Sequence, residues 1–438
     1  MKLDTLAVRS GGLDAGRPRE EVGEPHVPGI DLSTSYGFAT SGAIADSMDA
    51  LLEGEAEAPN AVYARLYNPT VAGFETALAA LEGADAAVAY ATGMAAITAT
   101  LMAAGSEHAP QGWARGRHVV AVRPMYGGTD HLLASGLLGT EVTWARPEEV
   151  AEAIRGDTAL VIFETPANPT LTMVDIRAVV GQVRAREQAL GQRIPVAVDS
   201  TFATPILQTP LSLGADLVVH SATKFLGGHG DAMGGVVATS EQWAKPLRQL
   251  RMITGGILHP LGGYLLHRGL RTLPVRVRAQ QESAITLATR LSEHPEVIAV
   301  HFPGLHNPVE RRLLETQQRG PGSILSFRVR GGIEASRSAM ESLRLITRAV
   351  SLGSVETLIQ APAQLTHRIV DPEDRALTGL SDDLLRISVG LESVDDLWAD
   401  LEQALNQPAR QEILARSCSS STHSGVSRRY SSIMATLR

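Results

Sequence analysis

Ser221-Ala-Thr-Lys224 places two hydroxyls and an amine just ahead of a run of glycines, Gly227, Gly228, Gly230, Gly234 and Gly235. Glycine lets backbone pass close to a ligand and adopt conformations that side chains oppose. A lysine held in such a place is desolvated, which lowers its pKa and frees the amine as a nucleophile. The chemistry this suggests is a Schiff base between Lys224 and a carbonyl cofactor, with Ser221 and Thr223 donating to a phosphate. A surface lysine before a glycine-rich turn has the same local sequence, so the surrounding chain must decide.

The elements that would position Lys224 are legible as patterns. Apolar runs at 86–89, 119–122, 159–163, 194–198 and 217–219 read as short buried strands. Helical spacing separates them. Phe74, Ala77, Leu78 and Leu81 share a face over 73–82, with Gly83 at a C-cap position. Residues 95–104 follow the turn Tyr90-Ala-Thr-Gly-Met94, and Ile176, Val179, Val180 and Val183 share a face over 174–190. Continuously apolar strands alternating with helices predict a mostly parallel sheet with helices on both faces. Ligands bind beyond the carboxyl ends of such strands. Gly93, Tyr126, Glu164, Asn168, Asp199 and Lys224 all fall at or just past one. The glycine turn at Gly93 opens a helix, which offers free N–H groups and a positive dipole end to a phosphate.

The pattern changes after about residue 275. A long helix is predicted over 278–292. Residues 324–329 alternate, with Leu325, Phe327 and Val329 opposite Ser326, Arg328 and Arg330. Residues 384–389 do the same, with Leu385, Ile387 and Val389 opposite Arg386 and Ser388. Val394, Leu397, Trp398, Leu401 and Leu405 mark a last amphipathic helix. This predicts a smaller α+β domain with one solvated or ligand-facing sheet surface. The expected organisation is an N-terminal arm (1–66), a large cofactor domain (67–275), a small domain (276–406) and a tail (407–438). The arm is broken by Pro25, Pro28 and Pro59, with a short helix expected at 48–52. The tail holds eight serines and reads as disordered.

The 438 residues suit two or three domains, and 44% hydrophobic with 20% charged residues suit a soluble globular protein. A net charge of -8 and 4% aromatics argue against a nucleic-acid footprint. Cys418 is the single cysteine, so neither an internal disulfide nor a cysteine-based metal site can form. A cytoplasmic enzyme is the simplest context. The N-terminus has no apolar signal region, and no run approaches the roughly 18 apolar residues of a membrane span.

Further motifs accompany these: Tyr63-Ala-Arg65 with Asn68-Pro-Thr70, Tyr126-Gly-Gly-Thr129, Glu164-Thr-Pro-Ala-Asn-Pro169, Val198-Asp-Ser-Thr-Phe202, Ser351-Leu-Gly353, Leu365-Thr-His367 and Arg386-Ile-Ser-Val-Gly390. Together, from Thr5 to about Leu405, they resemble the Cys/Met metabolism family of pyridoxal phosphate enzymes. That family includes cystathionine synthases and lyases, methionine γ-lyase and O-acylhomoserine sulfhydrylases. The resemblance implies the fold-type I transferase architecture and pyridoxal 5'-phosphate as cofactor, attached at Lys224. It implies Asp199 beside the ring nitrogen, where a carboxylate favours the protonated form. Gly93 and Met94 would give N–H groups to the phosphate, and Ser221 and Thr223 hydroxyls. Tyr63 and Arg65 would reach the phosphate of the adjacent subunit, in a dimer that shares its active sites and pairs into a tetramer. Tyr126 would stack on the ring and act as an acid or base. Asn168 and Glu164 would contact or support the cofactor. Arg386 would hold the substrate carboxylate through its bidentate fork, with Ser351 and Asn168 beside it. His220, His229 and His367 read as structural, and no metal is expected.

Departures narrow the reading. Gly128 stands where methionine γ-lyases usually carry cysteine, and Arg251-Met252 where many have Lys-Asp. Val350 stands where cystathionine enzymes typically place glutamate. An apolar residue there suits a thioether better than a second amino-acid head, because an unmatched buried charge is costly. Ser200, where asparagine is usual, has no interpretation. The expectation is a carbon–sulfur γ-lyase acting on methionine or a similar thioether. The alternatives are γ-replacement by a cystathionine γ-synthase or sulfhydrylase, or cystathionine γ-lyase chemistry. A silent scaffold on the same fold is disfavoured by the intact Lys224, Asp199 and Arg386.

Overall fold

Seven strands form the larger sheet of the computed structural model, which describes residues 1–11 and 26–406. They are β1 (Ala86–Tyr90), β2 (His118–Val122), β3 (Glu141–Ala145), β4 (Thr158–Glu164), β5 (Val196–Asp199), β6 (Leu217–His220) and β7 (Gly235–Thr239). Their order is β1-β7-β6-β5-β4-β2-β3. Strand β7 runs antiparallel to β1 and β6, and the other neighbours are parallel. Every residue of β1, β2, β4, β6 and β7 is buried. Period-two alternation then feeds two apolar layers. Leu160 and Ile162 of β4 pack toward the helices Gly93–Gly105 and Glu241–Thr254. Val161 and Phe163 point the other way, toward the helix Ile176–Leu190.

Local chemistry sets the helix ends that face the site. Asn68 caps the helix Pro69–Glu82 by accepting from the Thr70 and Val71 N–H groups, and Gly83 closes it in the left-handed conformation. The Thr92 hydroxyl caps the helix Gly93–Gly105.

The second sheet contains β8 (Val297–His301), β9 (Ile324–Val329), β10 (Thr347–Arg348), β11 (Leu358–Gln360) and β12 (Leu384–Ser388), in the order β10-β11-β12-β9-β8. Leu325, Phe327, Leu385 and Ile387 bury their face with the helices Leu273–Glu293 and Val394–Leu405. The opposite face is polar yet buried, with Ser326, Arg386 and Ser388 all inaccessible. Ser326 Oγ donates to the Pro169 carbonyl of the first lobe at 2.7 Å. At these positions the face turns inward, while Arg328 on the same face is partly exposed and pairs with Asp383 at 2.8 Å.

Helix Leu273–Glu293 has no break near residue 275. Leu273 and Val277 join the first core, while Ala284, Leu287 and Leu291 join the second. The helix expected at 48–52 extends over Ser41–Leu52. A helix with no sequence-level prediction, Leu3–Arg9, buries Ala7 and ties Asp4 to Arg278. The serine-rich tail, Cys418 included, lies outside the described residues.

Candidate active site

Strands β4 and β5 end side by side, which sets Glu164 opposite Asp199 in register. Glu164 is buried and Asp199 half-buried at the cavity edge, and desolvation raises the pKa of each. Glu164 is pushed well above the usual carboxylate range, first by burial and then by the Asp199 charge. Its Oε1 accepts from the Asn168 N–H at 2.9 Å and its Oε2 from the Tyr126 N–H at 2.5 Å, so one side chain fixes two loops. Asp199 is stabilised as an anion by Thr201, whose N–H and hydroxyl both donate to Oδ1, at 3.0 and 2.6 Å. Among the described residues that leaves Oδ2 without a donor, on a residue that borders the cavity.

Lys224 follows β6 and, among the described residues, meets no carboxylate. Its Nζ donates to Ser351 Oγ at 2.8 Å. Burial, with the nearby Arg386 charge adding to it, lowers the amine to about 8. Arg386 lies on β12, where its Nη1 donates to Asn168 Oδ1 at 2.9 Å and its Nη2 to the Ser351 carbonyl at 2.6 Å. Gln360, its partner across the β11–β12 ladder, sets its amide 3.1 and 2.6 Å from the two Nη atoms, and because a guanidinium only donates, the amide oxygen is assigned to that side. Burial pulls Arg386 down to about 10.

Opposite these groups, the helix Gly93–Gly105 begins with N–H groups that have no intrahelical acceptor. A Cβ at Gly93 would come within 2.8 Å of Ser221 Cβ, so only glycine leaves this cradle open. Among the described residues the Ser221 hydroxyl has no hydrogen-bond partner, while its N–H donates to Thr201 Oγ1. The Thr223 hydroxyl, in contrast, exchanges hydrogen bonds with Gly234, donating to its carbonyl at 3.2 Å and accepting from its N–H at 3.0 Å.

These groups line one cavity of about 290 Å³. Gly93, Met94, Tyr126, Asn168, Asp199, Ser221, Thr223, Lys224, Ser351 and Arg386 all border it. Tyr63 and Arg65 do not. Both are exposed; Arg65 lies 5.5 Å from the centre of the Tyr63 ring and donates to the Met252 carbonyl at 2.6 Å. Sequence reasoning passed over Thr201 and Gln360. Thr201 has a local signal, a hydroxyl two residues after a strand-end Asp. Gln360 has none, since it meets Arg386 only through strand register. The Tyr126 ring stands edge-on to buried His367 at 6.4 Å. Burial, then the Arg386 charge, lowers His367 to about 4. Among the described residues no cluster of His, Cys, Asp or Glu could hold a metal ion.

The cavity therefore offers free N–H groups and a hydroxyl for an oxyanion, a lone carboxylate oxygen for a cationic ring N–H, and an amine with a lowered pKa for a carbonyl carbon. Comparison with known proteins identifies the family. The pattern of the Cys/Met metabolism PLP-dependent enzyme family matches residues 4–406. The chain is 53% identical over 408 residues to L-methionine gamma-lyase of Brevibacterium sandarakinum, covering 93% of this chain and 98% of that one. It is 52% identical over 404 residues to L-methionine gamma-lyase of Streptomyces avermitilis, covering 92% and 89%. Its fold matches crystalline cystathionine gamma synthase of Xanthomonas oryzae pv. oryzae with a TM-score of 0.80 and 35% identity, over 94% of this chain and 99% of the other. The chain belongs to the Cys/Met metabolism family of pyridoxal phosphate-dependent enzymes.

Proposed function

We propose that this enzyme is a carbon–sulfur γ-lyase that releases 2-oxobutanoate, ammonia and a thiol from methionine or a similar apolar thioether. The observation that carries the proposal is the distribution of charge in the cavity. Its charged side chains are Glu164, Asp199, Lys224 and Arg386. All four are committed to the cofactor end or to a substrate carboxylate. The remaining wall includes Phe202, Met233, Val350 and Leu352, with no group to receive a second amino-acid head.

Gly93, Met94 and Ser221 would hold the cofactor phosphate, with Thr223 closing the loop beside it through Gly234. Asp199 would keep the ring nitrogen protonated, Tyr126 would cover the ring, and Lys224 would attach the carbonyl carbon. Bound there, pyridoxal phosphate supplies an electron sink for charge left at the substrate Cα. The residues of the chain do the rest. Arg386 binds the α-carboxylate, held flat by Asn168, Gln360 and the Ser351 carbonyl. The same Ser351 holds Lys224 Nζ, so a substrate anchored on Arg386 presents its Cα near that amine. A lysine of pKa about 8 can accept a proton there and return it to a neighbouring carbon. Tyr63 and Arg65 would complete the phosphate site of a neighbouring subunit, in a dimer and a tetramer of two dimers. The reaction on free amino acids suits the cytoplasm.

Replacement at the γ-carbon is the second reading, favoured by the likeness to a cystathionine gamma synthase. Holoenzyme should be offered methionine, cystathionine, or O-acetylhomoserine with a thiol, and 2-oxobutanoate measured against new thioether. Methionine turned over fastest to 2-oxobutanoate is the expected result. Thioether formation outrunning elimination would overturn it.

A further inference from the structure

We propose that the buried pair Glu82 and His220 is a positioning device for Asp199, and through it for the cofactor ring nitrogen. This rests on the role of Asp199 given above.

Glu82 ends the helix Pro69–Glu82, and His220 ends β6. Their side chains are 0% exposed, with His220 Nε2 and Glu82 Oε1 2.6 Å apart. A carboxylate only accepts, so Nε2 is the donor. Glu82 Oε2 and His220 Nδ1 are buried with no hydrogen-bond partner among the described residues. Such a pair is a poor device for stability alone. Burying polar groups that are half satisfied costs more than packing apolar ones of the same volume. A carboxylate at a helix C-terminus is also opposed by the helix dipole.

The geometry links the pair to the cavity in three short steps. His220 is followed by Ser221, whose N–H donates to Thr201 Oγ1 at 2.9 Å. Thr201 Oγ1 donates in turn to Asp199 Oδ1 at 2.6 Å. The backbone beside it is pinned by Ser200 N–H donating to the Val219 carbonyl at 3.0 Å. Anchoring His220 on Glu82 therefore fixes Ser221, the hydroxyl of Thr201 and the carboxylate that Thr201 orients. The pair lies behind the sheet edge, outside the set of residues that border the cavity.

The test is a double-mutant cycle on cofactor affinity. His220→Gln and Glu82→Gln are each made alone and with Asp199→Asn. Pyridoxal phosphate is titrated into each apoprotein and followed by its visible absorption, with circular dichroism and thermal unfolding of the apoprotein as fold controls. Each single change should weaken cofactor binding by about 10- to 100-fold, the range for removing a supporting partner at metal sites. With Asn at position 199 the same changes should have almost no further effect. Equal losses in both backgrounds, or unchanged affinity in a folded variant, would overturn the proposal. So would unfolding of the conservative Glu82→Gln protein together with His220→Gln, since the pair would then serve the fold alone. If Asp199→Asn by itself binds with wild-type affinity, the reading of Asp199 fails instead.

Discussion

Lys224 Nζ and Ser351 Oγ meet at 2.8 Å although 127 positions separate them in the chain. The Ser351 carbonyl accepts from Arg386 at 2.6 Å, so a single residue spaces the amine from the guanidinium. Ser351 adopts φ 91°, a region that L-residues with side chains rarely enter and that costs about 1–3 kcal/mol. Strain of this kind persists only where the surroundings impose it. Here the imposing contacts are the two cations and the Gly353 N–H bond to Ser388 Oγ at 2.8 Å.

The lowered pKa of Lys224 has a direct reading in rate. A neutral amine attacks a carbonyl and a charged one does not. The rate of cofactor loading onto apoprotein should therefore rise with pH and level off above about 8, rather than near the ordinary lysine value of 10.5. Lys224→Ala should fold normally yet lose turnover and the visible cofactor band. Borohydride reduction and peptide mapping should place the label on Lys224, and label on Lys245 instead would refute the assignment.

Arg386→Ala removes a buried guanidinium and leaves Asn168 and Gln360 facing the gap. Losing a charge-assisted bidentate contact costs about 2–5 kcal/mol. Amino-acid affinity should fall roughly 30-fold or more, with a much smaller change in cofactor affinity. Inhibition by a substrate analogue and cofactor titration measure the two. The opposite ranking would give Arg386 a different role.

His367 is neutral inside the fold and lowered to about 4, against 6.5 when exposed. Between those values the unfolded chain binds a proton that the folded chain refuses. Stability is therefore lost as pH falls from 6.5 through 4, by about 3 kcal/mol for this group. Urea unfolding of His367→Gln and wild-type apoprotein at several pH values should show a shallower acid loss in the variant. Parallel curves would show that His367 does not titrate as stated.

Tyr63 and Arg65 stand outside the cavity of their own chain, which makes subunit sharing testable by mixing. Lys224→Ala and Arg65→Ala chains should each be inactive on their own. A mixed dimer with shared sites has one doubly damaged site and one intact site. Exchange of equal amounts should restore about a quarter of wild-type activity by statistical mixing. Subunits that demonstrably exchange without recovery would show that the arm serves its own chain.

What the sequence determined by itself is the set of strand ends and the chemistry placed on them. Continuous apolar runs must be buried on both faces, so β1, β2, β4, β5 and β6 could be read within a residue or two. Gly93, Glu164, Asp199 and Lys224 follow those runs, and the chemistry open to each follows from its type. The alternation around Arg386 likewise separated its polar face from its apolar one. Only the tertiary structure decided which distant groups answer them. Ser351 reaches Lys224, Gln360 reaches Arg386 and Glu82 reaches His220 through strand pairing and helix packing, across 127, 26 and 138 positions. Register and packing angle carry no local signature, because any short polar residue satisfies the pattern at such positions. The helix Leu3–Arg9 escaped for a related reason: its seven residues gain their order from contacts with Pro69–Glu82 and Leu273–Glu293, not from a repeat of their own.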